Sequence, residues 1–389
     1  MSRNDSFRAA AGGGAPKAWR GTSPQPGPIL TIPPLQHLYV YLTGGCNLAC
    51  RHCWIDPVHQ PPGAPGPELD LDLLNAILDQ AKDLGLSGVK LTGGEPLLHS
   101  RIDAVLERIQ ELGIGLTIET NGTLVTPELA ESIGRCKNPF VSVSLDAAEP
   151  GPHDWLRGVQ GSFDLALKGL ESLAAAGLKP QIIMTVTKRT KDQVEQVVRL
   201  AERSGAGSVK LNAVEPVARG EAMAGRGETL SIRELVELGD WVEKEIAAGT
   251  PLRISCYHPA AFRPLGRMFG PSGDGCDSCR ILNILGVLSD GSYSLCGIGR
   301  TVPDLVFGHA SRDRLRDVWE RSVVLEDLRS GLPGRLQGVC GKCLMKEACL
   351  GCCIAQSYYR TKDLYAPFWY CEEADRLGLF PSTRKRPGC

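Results

Sequence analysis

The sequence predicts an α/β chain: a parallel sheet wound as a partial (β/α)6 barrel of the TIM type, followed by a small cysteine-rich domain. Three observations predict it. Short apolar runs alternate with helix-period stretches six times between residues 35 and 213. Of fifteen cysteines, three fall at 46–53 and nine between 276 and 371, so two separate regions use them. Finally, 43 lysines and arginines balance 44 aspartates and glutamates, and no apolar run approaches the ~20 residues needed to span a bilayer. Neither nucleic acid nor a membrane is therefore an expected partner.

Residues 1–33 are rich in Gly, Pro, Ala and Ser with too little apolar material to pack, which predicts a flexible arm. The arm lacks the apolar stretch of a signal peptide, so the expected location is the cytoplasm. LQHLYVYLT (35–43) reads as the first buried strand, and a loop with three cysteines and a Pro/Gly-rich stretch follow. Helical periodicity in LDLDLLNAILDQAKDLG gives way to the strand GVKLT, a helix over 100–113 and the strand GLTIET. Helix 126–135, strand FVSVSL, helix 162–176, strand PQIIMTVT, helix 190–204 and strand SVKLNAV continue the series. Such β-α units with short loops imply a parallel sheet by the right-handed crossover rule, with chemistry at the C-terminal strand ends. A doubly wound open sheet is the competing architecture. The helix at 230–249 and the strand LRIS close the barrel domain, giving 34–256 for the barrel, 257–375 for the cysteine domain and 376–389 for a tail. Beyond 256 the periodicity breaks down apart from one helix around 313–330, so metal centres are expected to supply that domain's cohesion.

In a reducing cytosol such a cysteine content points to metal or cluster binding rather than disulfides. CNLACRHC places Cys46, Cys50 and Cys53 on one tight loop after the first strand. Structural zinc takes four ligands, and His52 would have to supply the fourth. An iron–sulfur cube held by three cysteines instead leaves one iron open to bind a substrate or cofactor. At the ends of the second, third and fourth strands stand groups suited to a polar ligand: TGGEP with Gly93, Gly94 and Glu95, ETNG with Asn121, and SLD followed by HDWLRG with Ser144 and Arg157.

These motifs together resemble the radical S-adenosylmethionine (SAM) superfamily, whose cluster motif is CxxxCx(aromatic)C. The resemblance implies that the methionyl amine and carboxylate of SAM chelate the open iron of a 4Fe-4S cluster. One electron then splits the sulfonium to give a 5′-deoxyadenosyl radical, the cofactor carrying the hard chemistry. It also implies roles by position: Gly93, Gly94 and Glu95 at the methionyl amine, Asn121 at the ribose, Ser144 and Arg157 at the carboxylate. His52 takes the aromatic slot against adenine, where Tyr or Phe is commoner.

Residues 340–353, CGKCLMKEACLGCC, with the cysteines before and after them, resemble the SPASM domain, which holds two auxiliary 4Fe-4S clusters. Carried over by position, Cys276, Cys279, Cys296 and Cys353 bind the first, and Cys340, Cys343, Cys349 and Cys371 the second, making three clusters in all. Cys352 could replace Cys353 by a one-residue shift, and Cys256 could replace Cys276; a double zinc ribbon is the alternative use of the eight thiols. Cys136 and Cys389 have no partner in this scheme. A cluster with four thiolates has no open iron, so its simplest task is to pass electrons, which suits a reaction that oxidises a substrate radical.

The text VSLD…RGxxGSFD…TVT resembles the peptide-modifying branch, so the expected function is maturation of a ribosomally made precursor peptide by cross-linking or another oxidative change. A small-molecule dehydrogenase is the alternative, and a simple electron carrier would not need TGGEP or ETNG. Sulfatase-maturing, formylglycine-forming enzymes place an aspartate directly after the cysteine corresponding to Cys296, where this chain has Gly297. The arm is too short and polar for a leader-binding module, which leaves recognition to the barrel or a separate protein, and a flavodoxin- or ferredoxin-type reductant is implied. No catalytic acid or base stands out; Tyr257, Asp274, Asp290 and Tyr293 lie in suggestive loops.

Overall fold

The computed structural model describes residues 32–61, 63–64, 66–270 and 279–386. The expected arm, Asp274, Cys276 and Cys389 fall outside this range. A ten-stranded sheet forms the frame: β1 (His37–Thr43), β2 (Gly88–Gly93), β3 (Gly115–Thr120), β4 (Lys137–Ser144), β5 (Gln181–Val186), β6 (Ser208–Ala213), β7 (Arg253–Cys256), β8 (Ile284–Val287), β9 (Ser292–Ser294) and β10 (Val306–His309). Strands β1 to β7 pair in sequence order and in parallel, as the alternating pattern requires. On the other side β8 pairs in parallel with β1, and β9 and β10 add an antiparallel edge. Tyr41, Thr92, Glu119, Ser144, Thr185 and Lys210, one from each of β1 to β6, line a single cavity, so this part of the sheet curls into a partial barrel.

Amphipathic helices cover the outside. In α1 (Leu71–Lys82), Leu74, Ile77, Leu78 and Ala81 are buried at helical spacing. Asp70 caps the helix by accepting from the Leu73 N–H at 2.9 Å. Each buried Leu or Ile of such a face contributes about 1.5–3 kcal/mol before the entropy of ordering it. The helix at Val194–Arg203 repeats the pattern with Val194, Val197, Val198 and Ala201. At Ile232–Trp241 the Ser231/Glu234 capping box starts the helix expected over 230–249, whose last part is a π-helical turn, Val242–Ile246.

Two expectations for the C-terminal region change. The single helix around 313–330 is two, Leu315–Arg321 and Val323–Gly331, because Ser322 sits extended at φ −65°, ψ 122° and turns the chain between them. This region also buries a substantial apolar core: Tyr293, Trp319, Phe368 and Tyr370 are almost wholly enclosed and continuous with the barrel's core. Its helices run only four to nine residues, too short for a 3.6-residue period to show in the sequence.

Candidate active site

The first cysteine group lies where β1 ends. Gly45–Cys46 pairs in parallel with Val58–His59, pinning the loop between them. The loop also docks on the end of β2: Gly94 N–H donates to the Thr43 carbonyl and Glu95 N–H to the Gly45 carbonyl, both at 2.9 Å. A Cβ on Gly94 would stand 1.8 Å from the Gly45 carbonyl oxygen. The TGGEP glycines therefore admit a neighbouring loop of the protein itself, whereas the sequence suggested room for a ligand.

Cys46 and Cys50 are buried and Cys53 is half-buried. Burial pushes all three thiols up, Cys53 to about 11. Yet N–H donors converge on each sulfur. Leu48 N–H reaches Cys46 Sγ at 3.4 Å and Asn121 Nδ2 at 3.9 Å, Arg157 Nη1 reaches Cys50 Sγ at 3.7 Å, and the Ile55 and Asp56 backbone serves Cys53. Donors of this kind serve thiolates, and only a bound cation would keep three clustered sulfurs deprotonated here. Among the described residues no three thiol, imidazole or carboxylate groups stand close enough to hold a single metal ion.

The cavity encloses about 1120 Å³, its open mouth included, and is lined by Cys46, Cys50, Cys53, His52, Gly93, Gly94, Glu95, Asn121, Ser144 and Arg157, among others. All the proposed contacts of the first cluster and of SAM thus meet in one place. Glu95, 1% exposed, accepts from Leu97 N–H at 3.1 Å, Thr120 Oγ1 at 2.7 Å and Asn121 N–H at 2.8 Å. Burial outweighs these donors and raises its carboxyl to about 7, so it gains from a cationic partner. His52 has a buried Nδ1 without a partner, and burial lowers the ring to about 4, leaving a neutral imidazole on the cavity wall.

Two residues are more committed than the sequence suggested. Asn121 Nδ2 donates to Asn47 Oδ1 at 2.8 Å, and its Oδ1 accepts from Thr123 N–H at 2.9 Å and Thr123 Oγ1 at 2.6 Å. It ties the strand-end loop to the cysteine loop. Arg157, at the end of the helix Pro150–Arg157, places Nε 2.6 Å from Asp146 Oδ2, with side chains 8% and 0% exposed. Burial works to raise Asp146, but the Arg157 guanidinium together with His52, His153 and the Thr185 N–H outweighs it and holds the carboxyl below its usual range. Asp146, the last residue of SLD, is thus a site residue that sequence reasoning passed over.

Deeper in the barrel lies a second polar layer that the motifs did not flag. Lys90 Nζ pairs with Glu119 Oε1 at 3.1 Å and rests 3.9 Å from the Tyr39 ring centre. Lys210, Asn212 and Glu215 complete this wall, and burial raises the Glu215 carboxyl to about 7, with Lys210 opposing. Period-2 alternation in β3 and β6 places Glu119, Lys210 and Asn212 inward, which the sequence could have shown, whereas Glu215 lies past the strand end.

The C-terminal cysteines fall into two groups. Cys353 lies within electrostatic reach of Cys296 and Cys279, near Glu215. Cys340, Cys343, Cys349 and Cys371 line a separate small pocket, where Cys340 is hydrogen-bonded to Cys371 and Cys349 to Cys352. Cys256 sits instead beside Glu243 and Arg263. Cys136 is a buried thiol against the Leu106 and Ser132 carbonyls. Of the suggested acid–base residues, Tyr293 is wholly buried in the core, Asp290 caps its own turn by accepting from Ser292 N–H at 2.9 Å, and Tyr257 bonds Gln356.

Residues 40–201 match the family model of the radical SAM superfamily. The chain is 28% identical over 341 residues to an AdoMet-dependent heme synthase of Methanosarcina barkeri, covering 85% of this chain and 94% of that protein. It is also 28% identical over 352 residues to the mycofactocin maturase MftC of Mycobacterium tuberculosis, covering 89% and 85%. Among solved structures it is similar to SuiB of Streptococcus suis bound to S-adenosylmethionine, with a TM-score of 0.66 at 22% identity over 88% of this chain and 78% of that one. A further structure, anSMEcpe with bound AdoMet, gives a TM-score of 0.65 at 19% identity over 90% and 93%.

Proposed function

On the premise that this chain is a radical SAM enzyme, we propose that it matures a ribosomally made precursor peptide by abstracting a hydrogen atom and oxidising the resulting radical. The observation that carries the radical step is the convergence of Cys46, Cys50, Cys53 and Glu95 on one cavity, with N–H donors aimed at the sulfurs. A 4Fe-4S cluster on the three cysteines would supply the electron that splits SAM. Glu95 receives the methionyl ammonium, which lets the buried carboxylate ionise. Ser144 and Arg157 face the methionyl carboxylate, Asn121 the ribose and neutral His52 the adenine. Arg157 does so with the nitrogens that Asp146 leaves free, Asp146 fixing its plane.

The second set of thiols accounts for the oxidation. We assign Cys279, Cys296 and Cys353, with Cys276, to one auxiliary cluster and Cys340, Cys343, Cys349 and Cys371 to another, three clusters in all. The grouping of Cys353 with Cys296 and Cys279 favours it over Cys352, and the place of Cys256 beside Glu243 and Arg263 weighs against it as a substitute for Cys276. Residues 34–256 are taken as the catalytic barrel and 257–375 as the auxiliary-cluster domain. The peptide reading rests on the likeness to a named maturase over most of both chains and on solved relatives described with bound peptide, SuiB with its precursor SuiA and anSMEcpe with Cp18Cys. Gly297 weighs against formylglycine formation, since a Cβ there would stand 2.4 Å from the Tyr41 ring, leaving no room for an aspartate. A separate leader-binding protein and a flavodoxin- or ferredoxin-type reductant in the cytoplasm complete the proposal.

A second reading has its own support: the likeness to a protein named heme synthase favours a small-molecule substrate, as a small-molecule dehydrogenase would have. Anaerobic co-expression with short peptides encoded beside the gene separates the two. A mass loss of about two hydrogens, or another defined change, on one peptide supports maturation. Unchanged peptides together with a modified small molecule would overturn it.

A further inference from the structure

The cysteine loop also has a side that meets solvent. Residues 49–51 run along the end of the helix Pro150–Arg157, where Ala49 N–H donates to the Arg157 carbonyl at 3.0 Å and Arg51 N–H to the Leu156 carbonyl at 2.9 Å. Arg51 is exposed although its chain neighbour Cys50 is buried. Its Nε donates to the Trp155 carbonyl at 2.8 Å, and its guanidinium carbon lies 4.9 Å from the centre of the Trp155 ring. A second cation shares that ring: Arg189, exposed in the loop after β5, places its guanidinium carbon 4.7 Å from the same centre. Trp155 is rooted in a small apolar cluster with Leu156, Val214 and Met223. Lys188, also exposed, adds a positive charge next to Arg189 in the chain. None of these three cations forms an ion pair among the described residues. Glu228 lies within electrostatic reach of Arg51 but is hydrogen-bonded to Arg226 at 3.0 Å. Arg51, Trp155, Lys188 and Arg189 do not line the cavity.

Two arginines held on one indole, rather than on carboxylates, are fixed in place with their charge still available to a partner. Splitting SAM takes one electron from outside the protein, and the cavity that would hold SAM and the substrate is far too small to admit a protein donor. The electron must therefore cross the cavity wall, and at Arg51 the surface comes to the residue next to Cys50. We propose that the face formed by Arg51, Trp155 and Arg189, with Lys188, docks the small acidic one-electron carrier, of the flavodoxin or ferredoxin class, that reduces this enzyme. This rests on the radical SAM reading, in which a cluster sits on Cys46, Cys50 and Cys53. In the step so served the carrier loses one electron and the sulfonium gains it as its C5′–S bond breaks, leaving methionine and the 5′-deoxyadenosyl radical; no proton moves. A small cationic patch around one aromatic ring suits a transient redox encounter, which buries little area and takes its rate from electrostatic steering. An acidic segment of the substrate is the rival occupant, but a substrate must reach the cavity, which these side chains do not line.

Titration calorimetry of the anaerobically reconstituted protein with an oxidised, FMN-loaded flavodoxin reads docking without turnover. Wild type is expected to bind it at about 20 mM salt and to lose about fivefold or more in affinity at about 200 mM, as the surface charges become screened. R189E, which leaves the cysteine loop untouched, is expected to bind about fivefold more weakly, and R51E/R189E about twentyfold, with the salt dependence flattened. K342E/R386E, which reverses two exposed cations beside the C-terminal cysteines, is expected to stay within about twofold of wild type. Iron content and the electron paramagnetic resonance (EPR) spectrum of the dithionite-reduced protein serve as controls; where R51E disturbs the iron, R189E carries the comparison. Absence of salt-sensitive binding to wild type overturns the proposal, as does an affinity of R51E/R189E within twofold of wild type or an equal loss in K342E/R386E. So does carrier binding that survives in R51E/R189E while binding of the precursor peptide is lost, which would give this face to the substrate. If dithionite-reduced wild type makes no 5′-deoxyadenosine from SAM, the underlying radical reading fails instead, whatever the carrier's affinity.

Discussion

Replacing Arg157 by leucine isolates the buried ion pair that orders the cavity wall. Asp146 is fully buried, lies 2.6 Å from Arg157 Nε, and otherwise accepts from Thr185 N–H at 2.8 Å. Removing the guanidinium strands a buried carboxylate without its charged partner, which costs about 3–5 kcal/mol. At roughly 2 °C per kcal/mol for a chain of this size, the thermal midpoint of the cluster-free protein should fall by about 6–10 °C. The pH dependence should also reverse. In wild type Asp146 is held below its usual range, so its contribution is present at neutral pH and lost only as acid titrates it. In R157L the stranded carboxyl is raised, so the deficit grows as pH climbs and shrinks in mild acid. Changing both residues to leucine should recover most of the loss, because two apolar side chains replace a buried pair at little net cost. Differential scanning fluorimetry under nitrogen measures all three proteins. A fall below 2 °C in R157L, or a double variant no more stable than the single one, would refute the account.

Other outcomes follow from the same geometry. Burial raises the Glu95 carboxyl to about 7 and the proposed contact with the methionyl ammonium needs it ionised, so SAM affinity should weaken as pH falls from 8 to 6, approaching tenfold per unit below about 7; calorimetric titration of the reconstituted protein checks this. C353A should lose about one cluster's worth of iron while C352A keeps it, by iron analysis and Mössbauer spectroscopy, and equal losses would reverse the assignment. G94A should destabilise the cysteine loop by about 1–3 kcal/mol or more, with loss of bound iron, because its Cβ meets the Gly45 carbonyl at 1.8 Å.

Much of the barrel was legible in the sequence because each strand and helix carries its own period, and because the motifs fall at strand ends. The cysteine triad, TGGEP and Arg157 were readable for the same reason: their chemistry is local or stands at a predictable position. Asp146 and Glu215 were not, since a single carboxylate in a loop carries no signature until folding supplies its partners. The close approach of the Gly45 carbonyl to Gly94 was not legible either, because only the folded chain brings that loop there. Past residue 256 the elements are too short for periodicity, and β8 joins β1 across more than 240 residues, a pairing that no local pattern encodes. Cysteine spacing carried the reading there, yet it could not separate Cys352 from Cys353; the nearness of Cys353 to Cys296 and Cys279, and of Cys352 to Cys349, favours Cys353.

The most direct test is EPR of the anaerobically reconstituted, reduced protein with and without SAM, followed by chromatography for 5′-deoxyadenosine. An under-coordinated cluster on Cys46, Cys50 and Cys53 should change its spectrum when SAM binds and yield 5′-deoxyadenosine, and the C46A/C50A/C53A variant should do neither while keeping its other iron. A spectrum unmoved by SAM, or a triple variant that still cleaves it, would contradict the account.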